Sequence, residues 1–223
     1  MIIAKKSFWF EKLFAVYNRN LFKRRFNSLN ISGLEFLTDK EKTIPAIIYA
    51  NHSSWWDGLT AFEISRAAQL DSYVMMEEKQ LKKLFPFKYL GAFSVVRENP
   101  REAIKSINYA GNLLREKPDK SLWIFPQGEI LPNEIRPLKF YNGISRIIWN
   151  TETCLVFPAA IRYEFLKGFK PEIFVKIGKP ESIKSKLTSK KLTKNFEINL
   201  IRILDEMKND ITNKKISVYK NIL

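Results

Sequence analysis

Histidine and cysteine each occur once in the 223 residues, at His52 and Cys154. A single cysteine excludes an intramolecular disulfide and fits a reducing compartment. One histidine and one cysteine cannot build a typical zinc site, so no metal is expected. Cys154 stands in the apolar run Cys154-Leu155-Val156-Phe157, where a free thiol packs as a small hydrophobe. No stretch approaches the ~20 consecutive apolar residues that span a bilayer. The N-terminal segment lacks signal-peptide form, because lysines, arginines and asparagines interrupt its apolar residues and no small-residue cleavage site follows. There is no Gly-x-Ser-x-Gly nucleophile elbow, no zinc-finger or RNP-like aromatic motif, and no internal repeat. Nucleic acid is therefore not expected as a partner.

Acidic residues are also scarce: 23 Asp+Glu stand against 38 Lys+Arg, a net charge of +15. Such a surface attracts polyanions, and charge alone does not choose among nucleic acid, anionic lipid headgroups and acidic substrates. What the chain has in quantity is apolar material, 45% hydrophobic and 13% aromatic residues. That is enough for one large domain, or one domain with a terminal extension. Near the N-terminus Phe8, Trp9, Phe10, Leu13, Phe14, Val16, Tyr17, Leu21 and Phe22 alternate with Lys5, Lys6, Lys12, Arg19, Lys23, Arg24 and Arg25. Aromatics at near-helical spacing with basic residues between them describe either a helix in a membrane interface or an amphipathic helix packed on its own domain. The predicted division is therefore 1–30 as an amphipathic helical segment and 31–223 as the main domain.

Along that domain, Asn27 to Gly33 reads as a polar break and Ile44 to Ala50 as a buried strand. Ser53 or Ser54 is placed to cap a helix carrying Trp56, Leu59, Phe62 and Ile64. Tyr73–Met76, Ala92–Arg97, Ser121–Phe125, Cys154–Ile161 and Glu172–Ile177 are predicted strands. Between them the pattern predicts a helix over Lys79–Tyr89 broken at Pro86, one over Arg101–Glu116 opened by Asn99-Pro100, and one over Lys139–Trp149. Residues 181–195, rich in Lys, Ser and Thr, read as a mobile connection, and Asn195–Lys208 as a helix. Strands alternating with helices predict a single layered α/β domain, whose sheet could be partly antiparallel, since the pattern does not decide.

Chemistry concentrates where predicted strands end. His52 lies five positions before Asp57, in Asn51-His52-Ser53-Ser54-Trp55-Trp56-Asp57-Gly58. Imidazole is the side chain best suited to take a proton near neutral pH, and a carboxylate nearby can hold its tautomer and stabilise the cation. The alternative is a structural histidine at a helix start. Phe125-Pro126-Gln127-Gly128-Glu129 follows another strand, with Gly128 free to adopt an unusual dihedral or a close backbone approach. Arg97 follows a third, where it can grip a phosphate or carboxylate or serve as a surface ion pair. Ligands gather at the carboxyl ends of strands in open α/β sheets. Trp55 and Trp56 read as an apolar wall beside a substrate, as helix-start packing, or as one of each.

These blocks, in this order, resemble the lysophosphatidic acid and glycerolphosphate acyltransferase family. Its motifs are Asn-His-x4-Asp, a Gly-to-Arg block, Phe-Pro-Glu-Gly-Thr-Arg, and an apolar strand carrying a proline. Here they read Asn51 to Asp57, Gly91 to Arg97, Phe125 to Glu129, and Val156-Phe157-Pro158-Ala159-Ala160. The resemblance covers about residues 44–180. It implies a glycerolphosphate-acyltransferase-like fold, with a mixed, mostly parallel sheet flanked by helices, and an O-acyltransferase at the cytoplasmic face of the cell membrane, peripheral or monotopic on an anionic surface. It implies His52 as general base, Asp57 orienting it, acyl-CoA or acyl carrier protein as co-substrate with no cofactor, and a lipid acceptor. The substrate would lie against Arg97 and Phe125, Pro126, Gln127, Gly128 and Glu129. The third block departs from the family: glutamine replaces glutamate, Glu129 replaces threonine, and Ile130 stands where the arginine belongs. An acidic Glu129 opposes a phosphate by about 1 kcal/mol or more. Either Arg136 or Lys139 supplies the missing cation, or the acceptor has no phosphate there, as in a glycosylated lipid. The competing readings are a non-catalytic basic membrane- or nucleic-acid-binding module on the same fold and an acyl-thioester hydrolase.

Overall fold

The run Ala-Ile-Ile-Tyr-Ala is apolar at every position, and a strand can bury both its faces only when layers cover it on both sides. In a computed structural model describing residues 1–166, 168–183 and 188–223, this run is β2 (Ala46–Ala50), and all of it is buried. The other strands are β1 (Ser28–Ser32), β3 (Asp71–Glu77), β4 (Ala92–Val95), β5 (Lys120–Ile124), β6 (Cys154–Glu164), β7 (Glu172–Ile177), β8 (Glu181–Ile183) and β9 (Lys220–Asn221). They form one nine-stranded sheet in the order β4-β3-β5-β2-β6-β7-β1-β9, with β8 paired to β6. β4, β3, β5, β2 and β6 run parallel. β7 returns antiparallel to β6, and β1 lies parallel to β7. The sheet is thus mixed and mostly parallel, as the resemblance implied.

The helices are α1 (Phe8–Arg25), α2 (Glu35–Thr38), α3 (Asp57–Ala67), α4 (Glu78–Lys83), α5 (Pro100–Glu116), α6 (Gly143–Thr151) and α7 (Ser189–Thr212). Alternate residues of each strand face opposite layers. Ile47, Tyr49 and Ile124 pack with Ile107, Leu114, Ile147 and Leu200 from α5, α6 and α7. Ile48, Trp123 and Phe157 pack with Phe22 of α1 and Leu59 and Ile64 of α3. Asn99 caps α5 by accepting hydrogen bonds from the Arg101 and Glu102 amides at 3.1 and 3.3 Å, with Pro100 opening the helix. The edge strand β4 is shielded by the chain's first residues. The Ser94 amide donates to the Ile2 carbonyl at 2.9 Å, and Lys5 and Ser7 bond the 3-10 turn over Phe85–Leu90.

Several elements differ from the sequence reading. Asn27 to Gly33 is not a break: Leu29 and Ile31 are buried in β1, and polar neighbours disguised a strand whose register is set by β7. The division at residue 30 falls inside that strand. The helix read from Lys139 starts only at Gly143, because Lys139 takes a left-handed conformation (φ 56°). Of the connection read over 181–195, residues 181–183 pair as β8 and 189–195 begin α7, while 184–187 lie outside the described residues. No helix among the described residues is long and apolar enough to cross a membrane.

One buried polar contact joins α1 to α3. The Asn18 side-chain amide donates to Glu63 Oε1 at 2.7 Å, with both residues buried. Burial pushes the Glu63 carboxyl above its ordinary range, and the Asn18 bond offsets this only in part. A folded-state value above the unfolded one means that folding binds a proton. The stability Glu63 contributes is present below its unfolded pKa and is lost as pH rises through the raised one. Glu63→Gln keeps the acceptor without the charge. It is expected to be more stable than the parent at pH 7–8, with the gap closing below about pH 4. Denaturant unfolding across that range measures it, and a gap constant with pH would remove Glu63 as the cause.

Candidate active site

The parallel strands deliver their carboxyl ends to one edge of the sheet. β2 runs into Asn51-His52, the adjacent β5 into Phe125-Pro126, and β4 into Arg97. Asn51 ties this edge to β6. Its Oδ1 accepts from the Ile161 amide at 2.8 Å and its Nδ2 donates to the Ile161 carbonyl at 2.9 Å.

Asp57 opens α3, and its carboxylate is fully buried yet heavily bonded. Oδ2 accepts from His52 Nδ1 at 2.8 Å and from the Ser53 and Ser54 amides at 2.7 and 2.9 Å. Oδ1 accepts from the Tyr163 hydroxyl at 2.7 Å. A buried carboxylate without such partners would cost several kcal/mol, so these four donors are what make its burial tolerable. The two amides can only donate, so the shared oxygen is an acceptor and His52 Nδ1 carries the hydrogen. That leaves Nε2 as the bare nitrogen able to accept a proton. The imidazole, 23% exposed, lines the cavity and stacks on Phe125 with ring centroids 4.7 Å apart. Its backbone amide donates to Gln127 Oε1 at 2.8 Å, and its carbonyl accepts from Leu131 at 2.8 Å. Ser53 and Ser54 are not helix caps: α3 begins at Asp57, and their amides serve its carboxylate instead.

The cavity in front of His52 measures about 750 Å³. Phe14 of α1, Phe62 of α3, Val74 of β3, Phe87 and Phe125 build its apolar wall. Phe14 packs on Phe62 and Phe87 at 5.1 and 5.7 Å, so the N-terminal helix is part of that wall. Trp55 lines the cavity and is exposed, whereas Trp56 packs edge-on against Phe22 and Phe26. The two tryptophans divide the roles.

Arg97, Pro126, Gly128 and Glu129 also line the cavity. Gly128 has φ +71°, and a Cβ there would stand 2.5 Å from an Arg97 guanidinium nitrogen. The backbone conformation favours glycine, and an added Cβ would push aside the guanidinium that crosses it. Arg97 lies over the Tyr141 ring at 5.7 Å and 4.0 Å from Glu77. Gln127 is buried and braces His52 rather than facing the cavity. Arg136 is not brought to the site. It pairs with Asp205 of α7 at 2.8 Å and bonds the Asn133 and Ile135 carbonyls. Lys139 does not line the cavity either; besides Arg97, the cations that do are Lys6, Arg66 and Arg146 of α6. Among the described residues no three His, Cys, Asp or Glu side chains cluster as a metal site.

Tyr163 and Arg146 escaped the sequence reading. Tyr163 lies 106 residues from Asp57 and carries no local motif. Arg146 sits in an ordinary amphipathic helix. Burial, then the charge of Asp57, hold the Tyr163 hydroxyl well above the usual tyrosine range, so it stays protonated and donates.

A histidine bonded to a buried carboxylate at the wall of an apolar cavity, on the carboxyl edge of an α/β sheet, is able to take a proton from a hydroxyl held beside an apolar molecule. Residues 28–162, more than half of the chain, match the family model described as Acyltransferase, and the chain belongs to that family. Its fold is similar to that of the 1-acyl-sn-glycerophosphate (LPA) acyltransferase PlsC from Thermotoga maritima. The TM-score is 0.66 at 20% sequence identity, over 89% of this chain and 78% of that one. No curated protein matches the chain.

Tyr163→Phe removes one donor from a buried carboxylate. It is expected to lower the unfolding free energy by about 1.5–3 kcal/mol, the worth of a hydrogen bond to a charged group. Denaturant titration tests this, and an unchanged midpoint would mean that Asp57 gains nothing from the phenol.

Proposed function

We propose that this acyltransferase moves a fatty acyl group from an acyl thioester, on coenzyme A or acyl carrier protein, to a hydroxyl of a lipid acceptor. The observation that carries the reading is the 2.8 Å bond from His52 Nδ1 to Asp57 Oδ2, set at the wall of an apolar cavity. His52 Nε2 takes the proton of the acceptor hydroxyl as its oxygen bonds to the thioester carbonyl carbon. The carbon–sulfur bond then breaks, and the leaving thiolate takes the proton back from the imidazolium. Asp57 holds the ring in register and stabilises its charged form. The Phe14, Phe62 and Phe87 wall takes acyl chain, which excludes water from the thioester and favours transfer over hydrolysis.

The acceptor is a lysophospholipid, or a non-phosphate lipid such as a glycosylated one. Lys6, Arg66, Arg97 and Arg146 line the cavity with Glu11, Glu77 and Glu129, so its lining mixes both signs with cations in slight excess. A headgroup presenting both an anion and hydroxyls fits that mixture. The enzyme works at the cytoplasmic face of the membrane as a peripheral or monotopic protein. The outward face of α1 supports this, since Trp9, Leu13, Val16 and Tyr17 are exposed at helical spacing, with Lys23, Arg24 and Arg25 in the last turn.

His52→Ala is expected to lower kcat by about 10²–10⁴-fold without loss of folding, the usual contribution of a general base. Thiol release from an acyl thioester with mixed lysolipids, read beside the circular dichroism of the variant, checks it. Turnover close to the parent's would end the catalytic assignment, and thiol release independent of any acceptor would favour hydrolysis. Arg97→Ala is expected to raise KM for an anionic acceptor while leaving an uncharged one unaffected. Equal effects on both would make Arg97 a structural residue that braces the Gly128 loop.

A further inference from the structure

The turn between β6 and β7 presents three large apolar side chains to solvent. Phe165 is 71% exposed, Leu166 is exposed, and Phe169 is 103% exposed, so it touches nothing that would shelter its ring. Scattered apolar residues are normal on a surface, but phenylalanines clustered at a hairpin tip are not explained by the fold. The antiparallel register ends at Glu164 opposite Glu172, so the tip hangs beyond the last sheet pair.

Topology says where this tip points. β6 runs parallel to β2, so its carboxyl end emerges at the same edge as His52. Two residues before Phe165, Tyr163 donates to Asp57. The tip is also stitched to the end of α1: Lys170 Nζ donates to the Lys23 carbonyl at 3.1 Å, and the Asn27 amide donates to the Pro171 carbonyl at 2.9 Å. Lys23, Arg24 and Arg25 thus stand beside an apolar tip that carries Lys170 itself. Aromatic side chains with cations around them match a bilayer interface with anionic headgroups, into which the rings sink while the ammonium and guanidinium groups stay with phosphate.

We propose that the β6–β7 tip, through Phe165, Leu166 and Phe169, is a second membrane-inserting element that turns the catalytic edge toward an anionic bilayer. It rests on the reading of α1 as a membrane-docking helix and adds what one helix cannot supply. A single helix leaves the protein free to roll about its axis, whereas a second contact on the same edge fixes the orientation. Lipid acceptors then reach His52 from the bilayer rather than through water.

The test uses the full chain with vesicles of equal phosphatidylcholine and phosphatidylglycerol. Phe165→Ser/Phe169→Ser is compared with Trp9→Ser/Leu13→Ser by flotation. Each phenylalanine lost from the interface is expected to weaken binding by about tenfold. A dye on Phe169→Cys reports depth directly, because the native Cys154 is buried and does not compete. Its emission should shift to the blue on vesicle addition and be quenched by spin-labelled lipid. The double variant should show a raised apparent KM for acceptor presented in vesicles and unchanged turnover of a monomeric short-chain acceptor. Parent-like flotation together with a dye that stays in water would overturn the second element while leaving α1 docking intact. A parent chain that does not float at all would overturn both. A dimer in lipid-free solution that the tip variant dissociates would make the tip a contact between two copies and overturn it too.

Discussion

The buried carboxylate of Asp57 is the constraint on which the carboxyl edge of the sheet is organised. An ionised group with no exposure is tolerable only if donors replace the water it has lost. They come from the loop after β2, through the Ser53 and Ser54 amides, from His52, and from Tyr163 at the far end of β6. Satisfying one charge therefore fixes the turn from strand into α3, the tautomer of the imidazole, and the approach of β6. Gln127 completes the frame from the loop after β5 by accepting from the His52 backbone. Because the frame is shared among these segments, no single loop can drift without stranding a buried charge.

The sheet explains why such distant segments meet. In a run of parallel strands every carboxyl end leaves on the same side, so the loops after β2, β4 and β5 gather along one edge without any local signal. The cavity takes one wall from α1, which makes the N-terminal helix a part of the site as well as an outward-facing apolar surface. The two roles are coupled through Phe14, which looks inward, and its neighbours Leu13 and Tyr17, which look outward.

Much of this was legible from the chain. Asn51-His52 and Asp57 stand at a strand–helix junction that hydrophobic runs alone locate, and Gly128 sits at a backbone angle only glycine takes easily. The departure at Gln127 also has a physical reading, since a neutral amide oxygen accepts from the His52 amide as a carboxylate would. Other features were hidden. β1 reads as polar because Ser28, Asn30 and Ser32 alternate with Leu29 and Ile31, and a half-polar strand resembles a loop until its partner is known. Arg136 was offered as the missing cation because it lies a few residues after the third motif, yet Asp205 on α7 draws it away.

The order of residues determined the alternation of strands and helices, the histidine with its carboxylate five positions on, and the excess of positive charge. These depend on local spacing and composition, which a chain carries before it folds. The tertiary structure alone decided that Tyr163 holds Asp57, that Arg146 rather than Arg136 reaches the cavity, and that the β6–β7 tip shares an edge with His52. Each of those is a meeting of segments far apart in the chain, set by strand order and burial rather than by neighbouring residues.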